Sequence, residues 1–430
     1  MNNDGLEQVD IQSLRIGMYV ELGMGWLSHP FPTGSFKIST AKQIEIIRGL
    51  GLQHVRVNVP KSDPLASAEP SVATTAAAMD PVNDERALAA QREQLLRRQR
   101  ADQLAAEQKS LAQCEKRFGE AARQYRKTLE QLPSQPKLAA EQCQTMVGGM
   151  VGEMLADGES AIRLLSEAAG DKSSMHPVNV TIIALLLGKA MGLSQTELVD
   201  LGLAAFLHDV GKAQLPDRVR WPEDNFSTAE YKLYQEHVAF GVQAGQAMGL
   251  GKGVLMAIAQ HHELIDGSGF PTRIKGEAMT VAARILALVN RYDNLCNPSR
   301  TATALTPHEA LALIFSQLKS RFDSVALSAF IRMMGVYPPG SVVQLIDERY
   351  GMVVSVNSAR PLKPRLIVHD RGVARHEAPI LDLEMAPSVG IRRSIKPTAL
   401  PSAAMDFLAP RQRVCYFFES VADPLRADAA

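Results

Sequence analysis

The stretch LVDLGLAAFLHDVGK, residues 198–212, reads as an apolar helix that ends in a histidine and an aspartate, with a lysine one turn on. A helix this apolar is buried on most of its surface. His208 and Asp209 at its end are then costly unless each has a partner. Metal coordination supplies that partner to both, and Lys212 stands where its ammonium can meet a phosphate oxygen as a point charge. Working outward, five of the ten histidines fall in the same block: His176, His208, His237, His261 and His262. The last two open HHELIDGSGFP, residues 261–271, in which Asp266, Gly267, Gly269 and Pro271 build a turn. Neighbours on a helix point about 100° apart, so adjacent imidazoles do not share one core slot. Imidazole and carboxylate are ligands for zinc, iron, manganese and nickel, and a binuclear site draws them from several helices with one carboxylate bridging. Taken singly, each histidine reads more simply as a core residue bonded to a carbonyl, or as a helix-end or surface residue. The conjunction of H, HD..GK, H and HHE..DG.G.P at successive helix ends is what favours chemistry.

The rest of the chain frames that block. Residues 138–335 are read as almost wholly helical, with short Gly/Pro/Asp breaks between long amphipathic patterns. Ahead of them, residues 1–62 mix β-rich pieces (GMYVEL, HVRVNV) with one short helix in STAKQIEIIRGLG, a small α+β module. Residues 63–137 hold a Ser/Ala/Pro/Thr linker and then a long helix in which Leu104, Leu111, Phe118, Tyr125 and Leu132 recur every seven residues. That spacing predicts either a coiled coil that makes a homodimer through residues 84–132, or a long helix laid on the next domain. Residues 336–430, with SVVQLI, GMVVSV and PRLIVHD, are read as a small β-rich domain with a loose tail.

Composition excludes some classes of function. The 46 basic and 46 acidic residues cancel, so no nucleic-acid or anionic-membrane partner is indicated. Cys114, Cys143, Cys296 and Cys415 are too scattered for a disulfide framework or a zinc ribbon. The acidic, polar start is no signal peptide, and VTIIALLLG at 180–188 is too short to span a bilayer. The expectation is a cytoplasmic protein.

The motif set closely resembles the HD-GYP family, bacterial cyclic di-GMP phosphodiesterases within the HD metal-dependent phosphohydrolase superfamily, over residues 140–330. LRIGMYVEL, GWLSHPF and VPKS resemble the small N-terminal domain of unknown role that often precedes it. The resemblance implies a mainly α, all-helical HD-type bundle holding two divalent ions, with iron, manganese or nickel as candidates. His176, His208 and Asp209 would serve one ion, while Asp209 would bridge to a second held by His237, His261 and His262. Lys212 would contact the substrate phosphate, Gly269, Phe270 and Pro271 stand at the Gly-Tyr-Pro turn, and Arg300 matches an arginine displaced by one position. The reaction implied is hydrolysis of a 3′–5′ phosphodiester by metal-activated water, to pGpG and then GMP, within second-messenger signalling with protein partners.

Two positions depart from the pattern. Asn290 stands where the family has its last aspartate ligand, which weakens the first metal site because a neutral carbonyl lacks the charge that holds a divalent ion. Asp293, one turn along the same helix, is a less favoured substitute ligand. Phe270 keeps the ring of the family's tyrosine and loses its hydroxyl. These changes sustain a rival reading, a non-hydrolytic module that binds cyclic di-GMP or a protein, and a third is a phosphohydrolase for another nucleotide. The enzyme reading is preferred because seven metal and phosphate residues remain.

Overall fold

The computed structural model describes residues 6–22, 35–50, 52, 54–63, 81–156, 159–166, 172–221, 226–299 and 303–420. GWLSHPF, most of the linker, Arg300 and the C-terminal tail lie outside the described residues. The chain divides into two compact units, residues 1–85 and 86–430.

In the first unit, β1 (Leu6–Asp10), β2 (Tyr19–Glu21), β3 (Ser35–Lys37) and β4 (His54–Asn58) form an antiparallel sheet in the order β1-β4-β2-β3. One helix, α1 (Ala41–Arg48), starts at Thr40, whose side chain and that of Gln43 cap each other's backbone. Ile44 and Ile47 of α1 close a core with Val20, Ile38, Val55 and Val57. This is the expected α+β module.

The second unit begins with the long helix α2 (Pro81–Gln131), then α3 (Pro136–Ala156), β5 (Ser160–Leu164), α4 (Lys172–Ala190) and α5 (Gln195–Leu207). It continues through α6 (Thr228–Met248), α7 (Lys252–Gln260), α8 (Val281–Cys296), α9 (Pro307–Gln317) and α10 (Ser324–Met334). Strands β6 (Val342–Leu345), β7 (Tyr350–Asn357), β8 (Arg365–Val368), β9 (Ile380–Asp382) and β10 (Ile391–Ser394) follow, then α11 (Ser402–Leu408) and β11 (Tyr416–Ser420). Capping boxes at Ser194/Glu197, Ser227/Glu230 and Thr306/Glu309 fix the starts of α5, α6 and α9.

The expected boundary near residue 336 does not separate two bodies. Strand β5, from within the block read as helical, pairs with β7 and β11, so the sheet β10-β6-β7-β5-β11 is shared between the bundle and the C-terminal segment. One hydrophobic core runs from Cys114 to Phe418. The five residues SAIRL, two of them polar, are too short to declare a strand by periodicity, and all five are buried by pairing with distant strands.

The heptad stripe of α2 is spent inside the unit. Phe118 and Tyr125 are buried, Leu111 and Leu132 pack against the core, and Leu104 is half-buried. Thr128 Oγ1 and Cys143 Sγ of α3 lie 3.2 Å apart, and the Tyr125 ring meets Phe206 edge-on at 5.4 Å. Of the two readings of the stripe, the helix laid on the next domain is the arrangement observed.

Candidate metal centre

His208 follows α5 directly with helical dihedrals, and Asp209 leaves the helix with φ −100° and ψ 4°. Gly211 makes the next contact feasible: a Cβ there would lie 2.1 Å from the His237 carbonyl oxygen and 2.4 Å from the Gly241 nitrogen of α6. Only glycine permits the two chains to approach so closely. That approach carries His237 to Asp209. His261 is the residue after α7, and His176 lies in the first turns of α4.

Two groups of side chains therefore converge, each with its donor atoms within 4.8 Å of one another: Asp209 with His237, His261 and His262, and Asp209 with His176 and His208. Asp209 belongs to both. Its Oδ2 lies 3.4 Å from His208 Nε2 and 3.6 Å from His176 Nε2, and its Oδ1 lies 3.6 Å from His237 Nε2 and 3.8 Å from His261 Nε2.

The hydrogen bonds on the far side of each ring fix the tautomers. His208 Nδ1 donates to the Ala205 carbonyl (2.7 Å), His237 Nδ1 to that of Tyr234 (2.5 Å) and His261 Nδ1 to that of Ile258 (2.6 Å). His176 Nδ1 donates to Asp293 Oδ2 at 2.6 Å. With the proton on Nδ1, each Nε2 carries a lone pair aimed inward. Yet the Nε2 atoms of His176 and His208 are 3.2 Å apart, and those of His237 and His261 are 3.3 Å apart. Two lone pairs at that distance repel unless a cation lies against both. Asp209 Oδ1 and His262 Nε2 are also buried without a hydrogen-bond partner. A divalent ion fits this donor set: it would satisfy every one of these atoms.

Electrostatics agrees. Burial, then neighbouring imidazoles, push His261 and His262 well below their ordinary range, and burial takes His237 down to about 4, so these rings are neutral at pH 7 as ligands must be. Burial acts to raise Asp209, but Lys212 and His208 outweigh it and hold the carboxylate well below its usual range. Burial likewise acts to lower Lys212, and Asp209 at 2.6 Å outweighs it, so the ammonium stays charged. Lys212 Nζ also lies over the rings of Trp221 (5.2 Å) and Tyr234 (5.4 Å).

The remaining site residues occupy different places. Asn290 is buried on α8, and its Oδ1 accepts from Asn294 Nδ2 at 2.7 Å. Asp293 does not stand in as a ligand: Oδ2 takes the His176 proton, and Oδ1 accepts from Asn179 and Asn297, both at 2.9 Å. It orients His176 from behind. Phe270 stacks on His262 (4.4 Å between centroids, 21°), a packing role that needs no phenol hydroxyl. Gly269 is pressed against the chain at Glu263, where a Cβ would meet three backbone atoms at 2.5 Å. Glu263 Oε1 in turn accepts from Thr272 N, Thr272 Oγ1 and Arg273 N, tying the turn to the histidine pair.

A cleft of about 240 Å³ opens over Asp209, lined also by His176, Lys212, Trp221 and, from α2, Tyr125 and Leu129. Gly269, Phe270 and Pro271 are not among its lining residues. Larger depressions of about 320 to 390 Å³ lie elsewhere and are lined by no histidine, so the chemistry belongs to the smaller cleft. Sequence reasoning placed Tyr125 only in the apolar seven-residue stripe and passed over Trp221, Tyr234 and Asn179. Only Tyr234, one turn before His237, had a spacing that could have flagged it.

Residues 150–325 match the family model described as HD domain, and residues 6–143 match the domain of unknown function DUF3391, which thus extends through α2. The chain is 25% identical to the cyclic di-GMP phosphodiesterase PA4108 of Pseudomonas aeruginosa, over 87% of each chain. It is 33% identical to the cyclic di-GMP phosphodiesterase response regulator RpfG of Xanthomonas campestris, over 35% of this chain and 40% of that one. With the 3′3′-cGAMP-specific phosphodiesterase 2 of Vibrio cholerae the identity is 31%, over 30% of this chain and 25% of that one. No helix among the described residues is long and apolar enough to cross a membrane. Residues 150–325 thus carry an HD domain, with a DUF3391 domain ahead of it, and the chain is similar to relatives named cyclic di-GMP phosphodiesterases, which indicates a metal-dependent phosphohydrolase.

Proposed function

We propose that this protein is a cyclic di-GMP phosphodiesterase that opens the 3′–5′ diester to pGpG, and onward to GMP, using two divalent ions held around Asp209. The observation that carries this reading is the pair of inward-facing imidazole contacts, His176 with His208 and His237 with His261, whose lone pairs call for a cation on each side of one carboxylate. His176, His208 and Asp209 would hold one ion; Asp209, His237, His261 and His262 would hold the other. Such ions supply Lewis-acid polarisation of the phosphate and a water acidic enough to attack at neutral pH.

The chain's own residues do the rest. Asp209, kept ionised, offers one oxygen to each side. Lys212 brings a fixed ammonium to the cleft to meet a non-bridging phosphate oxygen. Phe270 and Glu263 hold His262 and its turn in place. No protein nucleophile is required.

A cleft of about 240 Å³ falls below the roughly 300–1,000 Å³ of pockets that enclose a drug-sized ligand. It suits one phosphodiester with its flanking groups, the bases lying further out. Incubating the full chain, loaded with manganese, iron or nickel, with cyclic di-GMP, 3′3′-cGAMP and mononucleotides tests the reading by chromatography of products. Release of pGpG or GMP is expected. Tight binding of cyclic di-GMP without product would establish the non-hydrolytic module instead, and turnover of mononucleotides alone would establish the third reading.

A further inference from the structure

Resting on that reading of the cleft, we propose that Tyr125, on the long helix α2 and outside the HD segment, is a substrate-contacting residue whose hydroxyl donates a hydrogen bond to a non-bridging oxygen of the scissile phosphodiester. Tyr125 lies 25 residues before the segment matched as an HD domain (150 − 125 = 25), within the segment matched as DUF3391. It nevertheless lines the same cleft as Asp209 and Lys212.

Its surroundings divide the side chain into two functions. The ring is a core group: only 4% of the residue is exposed, and Phe206 of α5 meets it edge-on at 5.4 Å and 87°. The hydroxyl, by contrast, makes no hydrogen bond to another described residue and, unlike Asp209 Oδ1 and His262 Nε2, is not a fully buried atom, so it is open to a group that enters the cleft. In a cleft that already holds an ammonium, the group it would meet is an anionic oxygen.

The helix that carries Tyr125 is fixed at points along its length. Thr128 meets Cys143 one turn on. Nearer the start, Glu107 pairs with the buried Arg163 of β5 at 2.7 Å, and Ser110 donates to Glu419 of β11 at 2.7 Å. A donor held on a clamped helix needs little ordering when substrate arrives, which is the condition under which one hydrogen bond contributes fully. The site is thus incomplete without α2, and any displacement of that helix changes substrate recognition directly.

The test compares Tyr125→Phe with the unaltered full chain, on cyclic di-GMP and on bis(p-nitrophenyl) phosphate, a diester with no base or ribose. A hydrogen bond to a charged group contributes about 1.5–3 kcal/mol, so kcat/KM is expected to fall about 10- to 150-fold on both diesters. Metal content and melting temperature should be unchanged, because the ring and its contact with Phe206 remain. Tyr125→Leu, which removes that packing, lowers the melting temperature as well and marks what a merely structural role looks like. Equal kcat/KM for Tyr125→Phe and the unaltered chain overturns the proposal. A loss on cyclic di-GMP alone overturns the phosphate assignment, because the bond then goes to ribose or base. If the unaltered chain cleaves only the small diester, the reading of the natural substrate fails while the Tyr125 comparison still decides. If it cleaves neither, calorimetric titration of the metal-loaded protein with cyclic di-GMP replaces the rates, and equal affinities overturn the proposal.

Discussion

Replacing Asp293 by asparagine should cost metal affinity by an indirect and geometrically forced route. Asp293 Oδ1 accepts from two side-chain amides, Asn179 Nδ2 and Asn297 Nδ2, while Oδ2 takes the proton of His176 Nδ1 at 2.6 Å. In Asp293→Asn the oxygen must stay where two donors converge on it. The new NH₂ therefore faces His176 Nδ1, which can meet it only as an acceptor. The imidazole proton moves to Nε2, the atom 3.2 Å from His208 Nε2, and the nitrogen that should bind an ion carries a hydrogen instead. Partners of ligand histidines typically alter metal affinity by about 10- to 100-fold, or roughly 1.4–2.8 kcal/mol. The loss should fall on the His176/His208 side alone. The metal-free protein should lose little stability, since Nε2–H of His176 now donates to His208 and removes the repulsion between two lone pairs. Metal analysis after equilibrium dialysis, with chelator competition for affinity and thermal melting of the metal-free protein, reads each part separately. Unchanged stoichiometry and affinity would refute the tautomer argument and leave Asp293 as a packing residue.

Asn290→Asp returns a charge to a buried position on α8 whose present oxygen already accepts from Asn294; retained metal should rise toward two ions per chain, and an unchanged count would show that Asn290 does not border the ion. Gly211→Ala places a methyl 2.1 Å from the His237 carbonyl oxygen, so α6 must shift. A stability loss of about 1–3 kcal/mol is expected from overpacking, together with weakened metal retention. Full stability would contradict the close approach. Burial raises the thiols of Cys114 and Cys143 to about 11, so below that pH both remain neutral thiols, which are poor nucleophiles. Alkylation at pH 8 should be slow in the folded chain and fast in denaturant, and rapid labelling of the folded protein would place these residues nearer solvent than described.

The candidate site was more legible in the sequence than the fold around it, and the reason is physical. His208 and Asp209 interrupt an apolar helix end, and the pair His261 and His262 opens a Gly/Pro turn, so their cost is visible without coordinates. Asn290 was visible only through the family resemblance, which places an aspartate at that position. What supports these residues was not. Asp293 reads in one dimension as a spare ligand, and only the positions of Asn179 and Asn297 show that it faces His176 from behind. The same two asparagines reach the residues just ahead of the last strand: each donates to the Val414 carbonyl oxygen, at 2.7 and 2.9 Å, and Asn297 Oδ1 accepts from Val414 N. The C-terminal segment, read as a separate β domain, is therefore hydrogen-bonded to the residues that hold Asp293, the partner of the candidate ligand His176. Its sheet encloses β5, whose five residues are all buried and whose backbone is paired by strands far away in sequence. The heptad stripe of α2 carries the same ambiguity: a seven-residue repeat specifies an apolar seam and says nothing about whether the partner is another chain or the chain itself. Here the seam closes on α3 and α5, and that closure is what delivers Tyr125 to the cleft. A perturbation of the last strand and one of the long helix should therefore converge on the same pocket from opposite sides, the first through His176 and its metal affinity, the second through substrate recognition with metal content intact.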